Sequence, residues 1–211
     1  MDVGHFGLLL QDLPAPPPAG GIDLRTWFAP ERRDRPVELE IGSGKGTFLV
    51  QQAALLPEVN YVGIEWSMPF WRFAADRCRR RGLENVRLLR AEAGAFVQQS
   101  VPDASLRQVH IYFPDPWPKT RHNKRRLIQA PFLRELYRVL ESHGMIRIVT
   151  DHDDYFQWIL DHAGQVTSLL GQVPFDRPAG AGAGEVVGSN FERKYQRQGR
   201  PFHALALRKL G

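Results

Sequence analysis

The chain has very little cysteine. Cys78 is the only one in 211 residues, so an intrachain disulfide is excluded, and the usage fits a reducing cytoplasm. Its place in an arginine-rich, helical-looking segment speaks against a nucleophilic role. Apolar runs are short: nothing approaches the roughly 18 residues of a membrane span. The opening MDVGHFGLLLQD lacks the basic start and the apolar length of a secretory signal. The seven histidines form neither HExxH nor paired Cys/His spacings, so no metal site is expected, and His110 and His143 read as strand and cap residues. Internal repeats are missing too. What remains is ordinary globular usage, 43% hydrophobic and 24% charged, in a chain long enough for one sizeable core. The formal net charge of +5 points to a polyanionic partner.

PAPPPAGG, residues 14–21, reads as a structureless linker, so residues 1–34 are expected to be a flexible arm and 35–211 the folded domain. From Val37 strands and helices alternate. VELEI, NYVGIE, NVRLLR, QVHIYF and MIRIVT read as strands, and helical stretches follow at 47–56, 69–81, 131–142 and 153–162. HALALRK alternates like a last strand. This order predicts an α/β fold, a mostly parallel sheet covered by helices on both faces.

Ligands of such sheets sit beyond the carboxyl ends of the strands. There the first strand runs into ELEIGSGKG, where Gly42 and Gly44 permit a tight turn and close approach of backbone to a ligand, with a helix start behind. Such a turn could be a plain strand-to-helix connection. Glu40 before the glycines and Glu65 at the end of the second strand sharpen the reading, because a carboxylate at the second strand end commonly accepts from ribose hydroxyls. The spacing is G-x-G-x-G, not the G-x-G-x-x-G of dinucleotide folds. Glu40 would repel a pyrophosphate and suit the amino and sulfonium end of S-adenosylmethionine, which favours that cofactor over NAD. Glu92, ending the third strand, is either an adenine contact or a solvated surface glutamate.

FPDPWPKTRHNKRR, residues 113–126, falls at the same rim. Proline fixes its own φ and restricts its predecessor, so Asp115 is held between Pro114 and Pro116. Trp117 could stack on a base or cover the sheet edge. Lys119, Arg121, Lys124, Arg125 and Arg126 then form a run suited to phosphates, against a plain solvated face as the alternative.

Taken together, E-I-G-S-G-K-G, G-I-E, F-P-D-P-W-P-K-T-R-H-N-K-R-R, T-D-H-D-D-Y and S-N-F-E-R-K resemble the tRNA (guanine-N7)-methyltransferases of bacterial type, in that family's order from about Val37 onward. The resemblance implies a Rossmann-like class I S-adenosylmethionine-dependent fold, a seven-stranded sheet with an antiparallel last strand, and methylation of a variable-loop guanine in tRNA. By matching motif, Glu40, Glu65 and Asp115 fall at cofactor positions, with Asp115 also at the reaction centre; Gly42, Gly44 and Glu92 join them from the reading of the strand ends. Lys119, Asp151, Ser189, Asn190, Phe191 and Glu192 fall at substrate positions, and Arg121 joins them from the basic run. Glu92 stands where the family usually carries aspartate or asparagine, and Ser189 where it usually carries threonine. With the cysteine usage, the expected setting is cytoplasmic, and monomer and homodimer both stay open. Competing readings are a methyltransferase of another RNA or of a small molecule, a non-catalytic tRNA-binding relative, and, more distantly, an NAD-dependent oxidoreductase.

Overall fold

The computed structural model describes residues 1–14 and 21–211. Among them, eight strands form one sheet: β1 (Gly7–Leu9), β2 (Val37–Ile41), β3 (Asn60–Ile64), β4 (Val86–Arg90), β5 (Leu106–Tyr112), β6 (Leu140–Thr150), β7 (Leu170–Val173) and β8 (His203–Lys209). Their spatial order is β1-β4-β3-β2-β5-β6-β8-β7. Every pair from β1 to β6 is parallel, and β8 runs antiparallel between β6 and β7. The expected seven strands are β2 to β8. The eighth is contributed by the amino-terminal segment.

Strands β2 and β3 are buried along their whole length, as strands covered on both faces must be. One apolar layer holds Leu39, Ile64, Leu89, Ile111 and Ile148 against helices α3 (Ala93–Ser100), α4 (Ala130–Val139) and α5 (Asp153–Ala163). The other holds Tyr61, Leu88 and Tyr112 against α1 (Thr47–Leu55) and α2 (Met68–Arg80). A short helix, α6 (Asn190–Gln196), precedes β8.

Two expectations are corrected. The stretch read as a loose arm is packed where it is described: Gly7–Leu9 pairs with β4, and Phe6, Ile22, Leu24 and Phe28 are buried. Isolated apolar residues without a helical or alternating period carry no pattern signal, so tertiary contact decides their place. Residues 15–20, the centre of the proposed linker, lie outside the described residues. Second, the helix expected over 131–142 ends at Val139. His143 takes a left-handed φ of 62°, inside the long strand β6 rather than at a helix stop.

Strand order reverses at β2, whose neighbours are β3 and β5. The carboxyl ends of β2, β3 and β5 therefore open a crevice at the topological switch point, where ligands of open α/β sheets bind.

Candidate active site

The turn after β2 has Gly42 and Gly44 at φ 77° and 53°, a region that L side chains seldom adopt. A Cβ on Gly42 would meet nothing within 4 Å among the described residues, so this backbone borders open space; on Gly44 it would lie 3.4 Å from the Phe191 ring. The turn is held from the neighbouring strand. Glu65 accepts from the Gly44 N–H at 2.8 Å and from the Ser67 N–H at 2.7 Å, which fixes its carboxylate at the crevice edge.

A cavity of about 470 Å³ is lined by Gly42, Gly44, Glu65, Glu92, Asp115 and Trp117. That is the size class of a pocket for a nucleoside-sized ligand. Another cavity, about 480 Å³ between Arg35, Pro36 and Ser105, lies at the amino ends of the strands, away from the switch point.

Glu40 is 4% exposed and its Oε2 has no hydrogen-bond partner among the described residues. Burial, and then the neighbouring Glu65 carboxylate, push its pKa up to about 8. A buried carboxylate without a partner is costly unless a cation or donor meets it. The chemistry of these groups therefore fits the ammonium and sulfonium of S-adenosylmethionine: an orphaned acceptor in a void that adjoins the cavity, side-chain-free glycine backbone between them, and Glu65 at the cavity edge.

Asp115 is exposed at the cavity mouth. Its segment is bracketed by two residues of left-handed backbone, Phe113 at φ 55° and Trp117 at φ 44°. Such conformations persist only where the surroundings enforce them, and here they do. The Phe113 N–H donates to Val149 O at 2.7 Å, and Arg126 Nε donates to Pro116 O at 2.9 Å. Arg126 is 2% exposed, its head 5.1 and 5.3 Å from the Tyr155 and Trp158 ring centres and paired with Asp154. This corrects the reading of the basic run: Arg126 is an internal clamp, and the outward cations are Lys119, Arg121, Lys124 and Arg125. Arg125 lies 5.0 Å over Trp117.

The matching methyltransferase family model, described as "Putative methyltransferase", spans residues 34–205. A protein named tRNA (guanine-N(7)-)-methyltransferase from Streptococcus thermophilus is 33% identical over 179 residues, 85% of this chain and 83% of its own. One of that name from Streptococcus suis is 35% identical over 179 residues, 85% of this chain and 84% of its own. The chain belongs to the tRNA (guanine-N7)-methyltransferase family. Its fold is shared more widely: the aminoglycoside resistance methyltransferase NpmB1 superposes with a TM-score of 0.56 at 17% identity, covering 85% of this chain and 91% of that one.

Against the site expected of a tRNA (guanine-N7)-methyltransferase, the structure gathers Gly42, Gly44, Glu65, Glu92, Asp115 and Phe191 around one cavity, with Glu40 in an adjoining void. Glu92 is there as the cap of α3, accepting from the N–H groups of Gly94 and Ala95 at 2.9 and 2.7 Å. Ser189 caps α6, its hydroxyl accepting from the Glu192 N–H at 3.1 Å; Asn190 beside it is exposed. Asp151 is engaged by Arg200 at 2.6 Å. Glu192 is placed differently from expectation. It is wholly buried, and its carboxylate accepts from the N–H groups of Val186, Val187 and Gly188, so it shapes the preceding loop and presents nothing to a substrate. Sequence reasoning missed Tyr112, which lines both the cavity and the void, and Trp66, 65% exposed beside Glu65 and stacked 5.2 Å from Arg90. Trp66 had a signal, an aromatic directly after a strand-end carboxylate. Among the described residues no group of three or more His, Cys, Asp or Glu side chains could hold a metal ion, and no helix is long and apolar enough to cross a membrane.

Proposed function

We propose that this methyltransferase transfers a methyl group from S-adenosylmethionine to N7 of a variable-loop guanine in cytoplasmic tRNA. The observation that carries the reading is Asp115: an exposed carboxylate clamped at the mouth of a glycine-floored cavity, with four outward cations following it in the chain. The names of the family's relatives support the same substrate.

S-adenosylmethionine supplies a methyl group made electrophilic by its sulfonium. Glu40 would receive the cationic end, and Glu65, already oriented by two backbone N–H groups, retains lone pairs that would accept from ribose hydroxyls. Guanine N7 would attack the methyl carbon with its in-plane lone pair while the methyl–sulfur bond breaks and its electrons return to sulfur, releasing neutral S-adenosylhomocysteine, so no base has to remove a proton first. Positive charge moves onto the purine as the bond forms. Asp115 stabilises that charge or grips the N–H edge of the ring, and its clamped backbone means little reorganisation at that moment. Lys119, Arg121, Lys124 and Arg125 hold phosphates on either side of the entering nucleotide.

The test is transfer of labelled methyl to bulk tRNA, followed by mapping of the modified base. Label at guanine N7 in the variable loop supports the reading; label on another base, on another RNA alone, or nowhere overturns it.

A further inference from the structure

Glu40 does not line the main cavity. It faces a separate void of about 20 Å³, room for about one water. Two buried polar atoms without partners among the described residues, Glu40 Oε2 and Ser43 Oγ, belong to residues that wall this void. Unpaired buried polar atoms of this kind call for a partner, whether a water, an ion or a ligand group. Yet an amino-acid end, with its ammonium, carboxylate and methylenes, cannot enter a space the size of one water.

Only Gly42, Tyr112 and Phe191 line both the void and the main cavity. Gly42 has no side chain to move. Tyr112 is fixed: its hydroxyl lies 2.7 Å from His110 Nδ1, and His110 Nε2 lies 2.9 Å from Glu38, deep in the sheet. Phe191 is the movable wall. It is half-buried on the seven-residue helix α6, with its ring lying against Gly44.

We propose that Phe191 is a gate on the amino-acid end of the cofactor pocket, and that binding displaces α6 to join the void to the cavity. The proposal rests on the S-adenosylmethionine reading above. The loop before α6 is bound to that helix by the Glu192 carboxylate, so the two move together. The displacement also reaches the reaction centre. Tyr195 of α6 and Phe202 pack on Phe113 at 5.8 and 5.6 Å, and Phe113 is the left-handed residue directly before Pro114 and Asp115. Filling the pocket thus resets the segment that carries Asp115, which favours cofactor before tRNA in the order of binding.

The experiment follows tryptophan fluorescence, since Trp66 and Trp117 line the cavity, on rapid mixing with two nucleosides. S-adenosylhomocysteine carries the amino-acid end; 5′-methylthioadenosine lacks it and should not need the gate. A closed ground state with an open fraction of about 1–10% slows association about tenfold to a hundredfold. In the wild type, S-adenosylhomocysteine should therefore bind more slowly than 5′-methylthioadenosine by that factor, with a rate that saturates as concentration rises. Phe191→Ala should remove the difference and the saturation, while Phe191→Leu, which keeps bulk and packing, should fall between. Association of S-adenosylhomocysteine that is linear in concentration and unchanged by either substitution overturns the gate while leaving the cofactor reading standing. Binding of neither nucleoside overturns the cofactor reading itself, and the gate with it.

Discussion

Arg126 Nε donates to the carbonyl of Pro116 at 2.9 Å, so a cation from the basic run is turned inward to hold the far side of the Asp115 segment. Its guanidinium lies against the rings of Tyr155 and Trp158, a planar arrangement that an ammonium cannot reproduce. Arg126→Lys should cost about 2–3 kcal/mol of stability, because it removes a charge-assisted hydrogen bond and weakens the cation–π stacking in one step. Turnover should fall with it, because Pro116 is released beside Asp115. Thermal unfolding alongside single-turnover methylation checks both. An Arg126→Lys protein as stable and as fast as the wild type would remove the clamp from the mechanism.

The neighbouring cations should behave in the opposite way. Lys119, Arg121 and Lys124 are exposed and have no carboxylate partner among the described residues, so changing two of them to glutamine should move stability by less than about 0.5 kcal/mol. The salt slope of tRNA binding should flatten by up to about 0.9 for each phosphate no longer neutralised. Binding isotherms over a range of salt concentrations measure it, with cofactor affinity as the control. A wild-type slope in the double variant would reduce this run to a solvated face.

The contrast within one run shows what could be read in advance. Glycines at strand ends and a carboxylate between prolines announce themselves, because backbone geometry demands those residue types at those positions. Gly42, Gly44 and Asp115 were legible for that reason, as were the five strands β2 to β6. A run of cations announces only charge. Whether Arg126 faces phosphate or the aromatic side chains of α5 depends on Tyr155 and Trp158, about thirty residues away. The same holds for Glu192, whose acidic character gave no sign that three backbone N–H groups of its own preceding loop would enclose it. The amino-terminal segment was opaque because its prolines suggest a linker, and its buried residues are single apolar side chains with no period.

Glu40 ties stability and cofactor affinity to pH. Its pKa is raised from 4.5 to about 8 in the folded protein, so between those values the folded chain keeps a proton that the unfolded chain has released. Stability from this group is therefore lost as pH rises from about 4.5 to about 8. Glu40→Gln removes the loss and should stabilise the ligand-free protein at pH 8, by an amount on the order of a few kcal/mol. The same variant should bind S-adenosylmethionine far more weakly, having no charge for its cationic end. In the wild type, cofactor affinity should increase with pH up to about 8, since binding must displace the proton. Thermal unfolding across pH and calorimetry in two buffers of different ionisation enthalpy test both halves. A Glu40→Gln protein less stable at pH 8 with unchanged cofactor affinity would contradict the assignment.

At Asp115 shape and charge can be separated. Asp115→Asn keeps the side-chain outline between Pro114 and Pro116 and leaves the left-handed residues Phe113 and Trp117 and the Arg126 hydrogen bond untouched. Only the negative charge goes. Stabilisation of positive charge developing on the purine needs that charge, whereas binding of tRNA through phosphates does not. Single-turnover methylation should therefore fall about a hundred- to a thousandfold, the scale of removing one preorganised electrostatic partner, while tRNA affinity and its salt slope hold at wild-type values. Asp115→Glu restores charge but displaces the carboxylate by a methylene, and should recover only part of the rate because the clamp fixes the backbone, not the tip. If Asp115→Asn lost tRNA binding and methylation in parallel, the carboxylate would be holding the guanine in the ground state as strongly as in the transition state. A near-normal single-turnover rate in the same variant would remove Asp115 from the chemistry altogether.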